Sequence, residues 1–113
     1  MRAAVFSDVH GNAIALDAVR EDIASVGGVD AHWVIGDVID MGSDPVGCIE
    51  LLRALPELRI VHGNGDRAVV ESDADALAAR LPGTAPDKIR RELMNVEEAA
   101  WARGAITRAG QFD

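Results

Sequence analysis

Ala3-Ala4-Val5-Phe6-Ser7-Asp8-Val9-His10-Gly11-Asn12 is the stretch from which the fold can be read. Four apolar residues end abruptly in a polar, glycine-containing loop, the pattern of a short buried strand feeding a turn. Beyond it, Ile14, Leu16, Val19, Ile23 and Val26 recur at spacings of three and four, which predicts a helix with one apolar face. Asn12 can cap its start, and Gly27-Gly28 ends it.

The same unit then repeats. His32 to Ile35 is a second apolar run, stopped by Gly36-Asp37. A loop leads to Asp44-Pro45, a cap followed by proline at the first helical position. Cys48, Ile49, Leu51, Leu52 and Leu55 supply the buried side of that helix, and Pro56 closes it. Leu58 to Val61 is the third run, followed by Gly63-Asn64-Gly65-Asp66, which reads as a loop. Alternating strands and helices predict an α/β fold of adjacent parallel strands with helices over the faces. The polar residues after each strand then gather at one edge of the sheet, where open α/β sheets bind ligands. The remainder reads as helical: a short helix over Asp73 to Leu81, another from Pro86 to Met94, and a last one from an Asn95-Val96-Glu97-Glu98 cap to about Arg108. Gly110 to Asp113 resembles the approach to a further strand.

Composition narrows the function. A length of 113 residues predicts one small domain. A formal charge of −8 argues against binding to a nucleic-acid backbone or an anionic membrane surface. No apolar stretch reaches the ~18 residues of a membrane span, and the N-terminus lacks a signal-peptide pattern, so a cytoplasmic location is expected. Cys48 is the lone cysteine, which excludes an internal disulfide and a thiolate metal cluster. Aromatic residues are 4% of the chain, so the core must be aliphatic; Trp33 and Trp101 are expected to pack and His32 to be structural.

Three strand ends deliver Asp8 with His10, Asp37 with Asp40, and Asn64 with Asp66. Any one of these could be a cap or turn residue. Three in register suggest a ligand site, and carboxylate, imidazole and amide donors suit Mn, Fe, Zn, Ni or Mg. Asp8 and His10 can reach one ion, Asp37 can bridge two, and Asn64 can serve the second. Two such ions would clamp a phosphate, hold a hydroxide between them and stabilise the charge of the transition state. No GxxxxGK[ST] or GxGxxG phosphate loop is present.

Ser7-Asp8-Val9-His10-Gly11-Asn12 resembles the D-x-H motif that opens the calcineurin-like metallophosphoesterases. Gly36-Asp37-Val38-Ile39-Asp40-Met41-Gly42 resembles their G-D-x-x-D-x-G motif, and Gly63-Asn64-Gly65-Asp66 their G-N-H-[DE] motif. Order and spacing match too, and the small bacterial and archaeal phosphodiesterase-like branch is the most similar. The resemblance implies the N-terminal half of a four-layer α-β-β-α sandwich, with residues 1–113 a domain truncated at its C-terminus. It implies a hydrolase, a phosphatase or phosphodiesterase, that attacks a small-molecule phosphomonoester or phosphodiester with a metal-bound hydroxide. Asp8 and His10 would hold the first divalent ion, Asp37 both, and Asn64 the second, in a complete fold that carries two, manganese among the candidates. Asp40 would support the ligands from behind, Asp66 matches the acid that in the family orients the histidine before it, and Arg67 could contact phosphate or pair at the surface.

Two departures matter. The histidine of G-N-H-[DE], assigned in the family to leaving-group protonation or phosphate contact, is Gly65 here. Substrates with good leaving groups are therefore expected, and His62, in a strand, should point elsewhere. The family's later G-H and G-H-[ST]-H motifs do not occur. Without the second sheet, one sheet face is expected to be exposed and to drive self-association. The alternative function is a noncatalytic module of the same fold that binds a partner or a single ion.

Overall fold

The computed structural model describes residues 1–71, 75, 78–79 and 82–110. Three strands, β1 (Ala3–Phe6), β2 (Ala31–Val34) and β3 (Leu58–Ile60), form a parallel sheet in the order β1-β2-β3. Val5 sits beside Trp33, and Trp33 beside Arg59. Helices α1 (Ala13–Ser25) and α2 (Pro45–Arg53) make the crossovers. Both begin as their sequences dictate. The Asn12 side chain accepts from the Ala15 N–H at 3.0 Å, and Asp44 from the Gly47 N–H at 2.8 Å with Pro45 next in line.

Strands added in one direction through right-handed crossovers place successive helices on the same side. Accordingly α1 and α2 pack on each other and share one core of Leu16, Val34, Val38, Cys48 and Leu52, with Phe6 and Leu58 against it. Among the described residues the helices thus cover one face of the sheet, not both. On the other face Val5, Trp33, Ile35 and Val61 are 58, 38, 54 and 55% exposed. This is the open apolar face expected of half a sandwich. It also corrects the reading of Trp33 as a packed residue.

Other details differ from the pattern. In α1 only Leu16 is fully buried, while Ile14, Val19 and Val26 face outward. Gly63-Asn64-Gly65-Asp66 is not a loop throughout, because α3 (Asn64–Glu71) begins at Asn64. Its Val69 is completely buried against Ala99, Ala102 and Ile106 of α4 (Pro86–Arg108). That packing offsets the poor helix propensity of Gly65. The two helices expected beyond Pro86 are one continuous helix of 23 residues. Nothing between Pro86 and Gly104 breaks it, and Asn95 lies inside rather than capping. The expected helix over 73–81 falls mostly outside the described residues, as does the strand approach over 111–113. His32 is buried and donates from Nδ1 to the Pro56 carbonyl at 2.8 Å, a structural role as expected. No helix among the described residues is long and apolar enough to cross a membrane.

Candidate metal centre

Past the ends of β1 and β2 the two segments stay bonded. Asp8 N–H donates to the Gly36 carbonyl at 3.2 Å, His10 N–H to Asp37 at 2.9 Å and Gly11 N–H to Val38 at 2.8 Å. The two ligand loops are therefore zipped together before any side chain is considered. Gly42 extends the zip: a Cβ there would lie 1.9 Å from the His10 carbonyl oxygen, so only glycine allows the approach.

Asp8, His10 and Asp37 all have positive φ, at 58, 48 and 55°. Non-glycine residues rarely enter this region, at a cost of roughly 1 kcal/mol or more each. Such strain clusters at functional sites. Here it turns the three side chains together: one ligand atom from each lies within 4.8 Å of the others. That span suits a single ion with bonds of ~2.0–2.2 Å. The sequence expectation that these residues converge is met for Asp8, His10 and Asp37.

The imidazole is held at both nitrogens. His10 Nδ1 lies 2.8 Å from Asp40 Oδ1, and Nε2 lies 3.2 Å from Asp8 Oδ1. A carboxylate behind Nδ1 fixes the tautomer that leaves Nε2 free to coordinate. Burial pulls the His10 pKa down, but the hydrogen bond and charge of Asp40, reinforced by Asp8 and Asp37, outweigh it and hold the net value above the ordinary 6.5. The Ser7 hydroxyl donates to Asp8 Oδ2 and, with His10, holds the Asp8 carboxyl below its usual range. Ser7 was not singled out in the sequence, although its place beside a ligand carboxylate is a usable signal.

The third loop reaches the site through its backbone. The Gly65 N–H donates to Asp37 Oδ1 at 2.9 Å. Gly63 lies so close to the Asp37 carboxylate that a Cβ there would be 2.1 Å from Oδ1. Asn64 lies between these two glycines at the start of α3 and is exposed. Asp66 is only 8% exposed, and both its oxygens are engaged. Oδ1 accepts from the Val38 and Ile39 N–H groups at 2.7 and 3.0 Å, and Oδ2 from Gly63 at 3.0 Å. Asp66 thus ties α3 to the loop that carries Asp37 and Asp40. Arg67 and His62 are exposed.

Open clefts among the described residues are lined in part by residues next in sequence to the ligand loops. One, about 340 Å³, is apolar and runs beside β3 among Leu58, Ile60, Val61, Val70 and Ile106. The other, about 420 Å³, is lined by Met41, Gly42, Ser43, Glu97, Glu98 and a half-exposed Trp101, so Trp101 is not the packed residue expected. Neither contains Asp8, His10 or Asp37.

The chain is similar to known proteins. The chain is 39% identical over 71 residues to the uncharacterized protein MJ0912 of Methanocaldococcus jannaschii, an alignment that covers 63% of this chain and 28% of that protein. A crystal structure of a metallophosphoesterase from Sphaerobacter thermophilus superposes with a TM-score of 0.55 at 34% identity, over 80% of this chain and 39% of that one. The chain therefore spans well under half the length of these relatives. The pattern of the calcineurin-like phosphoesterases matches residues 1–103, and with the zipped ligand loops it shows that the chain belongs to that family.

Proposed function

We propose that this chain is the ligand-bearing half of a metal-dependent phosphoesterase that hydrolyses a phosphomonoester or phosphodiester. The observation that carries the reading is the Asp8, His10 and Asp37 cluster, with ligand atoms within 4.8 Å and strained backbone at each position. The donor set fits a divalent cation of the Mn, Fe, Zn, Ni or Mg group. Asp8, His10 and Asp37 would hold one ion, and Asp37 with Asn64 would contribute to a second. When bound, such ions neutralise phosphate oxygens and lower the pKa of water.

The chain's own residues do the rest. Asp40 keeps the Nδ1 proton of His10 in place, so Nε2 presents a lone pair. The Gly65 N–H and the Gly63 backbone fix the rotation of Asp37, which decides which of its oxygens faces the first ion. Arg67, on the first turn of α3, is the candidate contact for phosphate. No side chain at Gly65 can protonate a leaving group, so substrates with acidic alcohols, such as aryl phosphates, are favoured.

A second reading rests on the open sheet face. Val5, Trp33, Ile35 and Val61 form contiguous apolar surface of the kind that finds a partner. For the chain taken alone, self-association as a two-fold dimer through this face is proposed, with weak binding of a single ion. Calorimetric titration with Mn or Zn, light scattering, and turnover of bis-aryl phosphodiester on the same sample test both readings. One weakly held ion, a dimer and slow turnover are expected. A chain that takes up no divalent ion would refute the phosphoesterase reading, and a clean monomer would refute the dimer.

A further inference from the structure

Gly65 stands where the family motif carries histidine, and the space that side chain would need is already filled. A Cβ built on Gly65 would meet the Asp40 carboxyl group: Oδ2 at 2.2 Å, Cγ at 2.3 Å and Oδ1 at 2.6 Å. All three distances are far inside van der Waals contact. That carboxyl is the one bonded to His10 Nδ1 at 2.8 Å. We infer that Gly65 is a positioning residue of the metal centre: its missing side chain is what lets Asp40 sit behind His10 and orient the imidazole. The inference rests on the metal-centre reading.

With Asp40 in the position that bonds His10, a side chain at Gly65 thus has no room. Helix propensity pulls the other way, since glycine inside a helix is worse than alanine by up to about 1 kcal/mol. Gly65 has no positive φ, so backbone conformation does not require glycine there either. Steric exclusion by Asp40 is the reason that remains. The clash is with the end of a side chain, so the backbone can stay while Asp40 swings away. Swinging breaks the bond to His10 Nδ1. The Gly65 N–H bond to Asp37 survives, because alanine keeps that N–H. The substitution therefore removes the support of one ligand and spares the other. Losing such an outer partner costs typically 10–100-fold in metal affinity. Restoring the family's histidine should weaken the centre rather than repair it.

The test uses the 113-residue chain with Gly65→Ala, Gly65→His, Asp40→Ala and the double variant. Calorimetric titration with Zn or Mn reads affinity. Long-range 1H–15N spectra of the metal-free chain read which ring nitrogen of His10 carries the proton. Gly65→Ala and Gly65→His should each weaken the ion about tenfold or more and move the ring proton population away from Nδ1. In the Asp40→Ala background, Gly65→Ala should add no further loss. Wild-type affinity with an unchanged tautomer in Gly65→Ala overturns the inference, as do additive losses in the double variant. If Gly65→Ala alone fails to fold, the double variant decides: folding upholds the steric account and failure overturns it. If the unaltered chain binds no ion, the metal reading fails, and the tautomer measurement still decides the role of Gly65.

Discussion

Replacing Asp66 should cost more stability than replacing any of the proposed ligands. Its carboxylate accepts three backbone N–H groups, from Val38, Ile39 and Gly63. Hydrogen bonds to a charged group contribute about 1.5–3 kcal/mol each. Three bonds sharing one carboxylate are not additive, so roughly 3–5 kcal/mol is the expected loss for Asp66→Ala. Part of that is the Val38 N–H, left without an acceptor in a residue 4% exposed. Asp66→Asn is the sharper probe. Its one amide oxygen can keep Val38 and Ile39, but its NH2 then faces the Gly63 N–H, donor against donor. About 1–3 kcal/mol should be lost. Urea unfolding followed by circular dichroism reads both, because a slope of about 1–3 kcal/mol per M turns 2 kcal/mol into a midpoint shift near 1 M. Midpoints for both variants within about 0.3 M of the parent would refute the reasoning. Asp66 would then be a surface-like carboxylate, with the loop held by something else.

Three further outcomes are expected. Asp37→Asn should abolish measurable calorimetric uptake of Mn or Zn while leaving the fold intact, because the Gly65 N–H can still bond the amide oxygen; unchanged affinity would remove Asp37 from the ligand set. The Cys48 thiol is fully buried, and burial, with Asp44 nearby, pushes its pKa from 9.0 up to about 11. An aromatic disulfide reagent at pH 8 should thus label it only as fast as the chain unfolds, and native labelling at the rate seen in urea would contradict that burial. The pKa of His10 is held above 6.5 in the fold, so His10 stabilises the metal-free chain fully below its unfolded value and loses that contribution as pH rises through the folded one. Metal uptake runs the opposite way and should weaken below the folded pKa, where protons compete for Nε2. Asp40→Asn should move the onset of both effects to lower pH, which an NMR titration of the ring would show.

Much of the architecture was legible because it rests on local chemistry. Asn12, Asp44 and Pro45 announce helix starts by their own bonding, and three short apolar runs between helices leave a parallel sheet as the simple solution. Asp8, His10 and Asp37 could be placed together because strand ends of one sheet share an edge. What was not legible depends on tertiary packing. The apolar strands read alike whether one face or both are covered; chain direction through β1, β2 and β3 decides it. The turn signal of Gly63-Asn64-Gly65 is overridden by Val69 packing on Ala99, Ala102 and Ile106, which makes that segment helical. Local pattern also splits α4 at Asn95, where nothing in the fold asks for a break. Nothing in the sequence signals that Asp66 bonds the backbone 27 and 28 residues earlier.

The left-handed backbone at Asp8, His10 and Asp37 sets robustness against chemistry. Glycine at any of these positions would release roughly 1 kcal/mol of strain, less the entropy it adds to the unfolded chain, and would delete a ligand. Asparagine, which tolerates this backbone, is the milder replacement, whereas a β-branched residue would suffer twice, through lost coordination and through steric conflict with its own carbonyl. The backbone geometry alone and the working centre therefore favour different residues at the same three sites. A variant library selected only for heat resistance would weigh that relief against the bonds of His10 to Asp40 and of Asp37 to the Gly65 N–H, whereas selection for metal uptake would keep all three side chains.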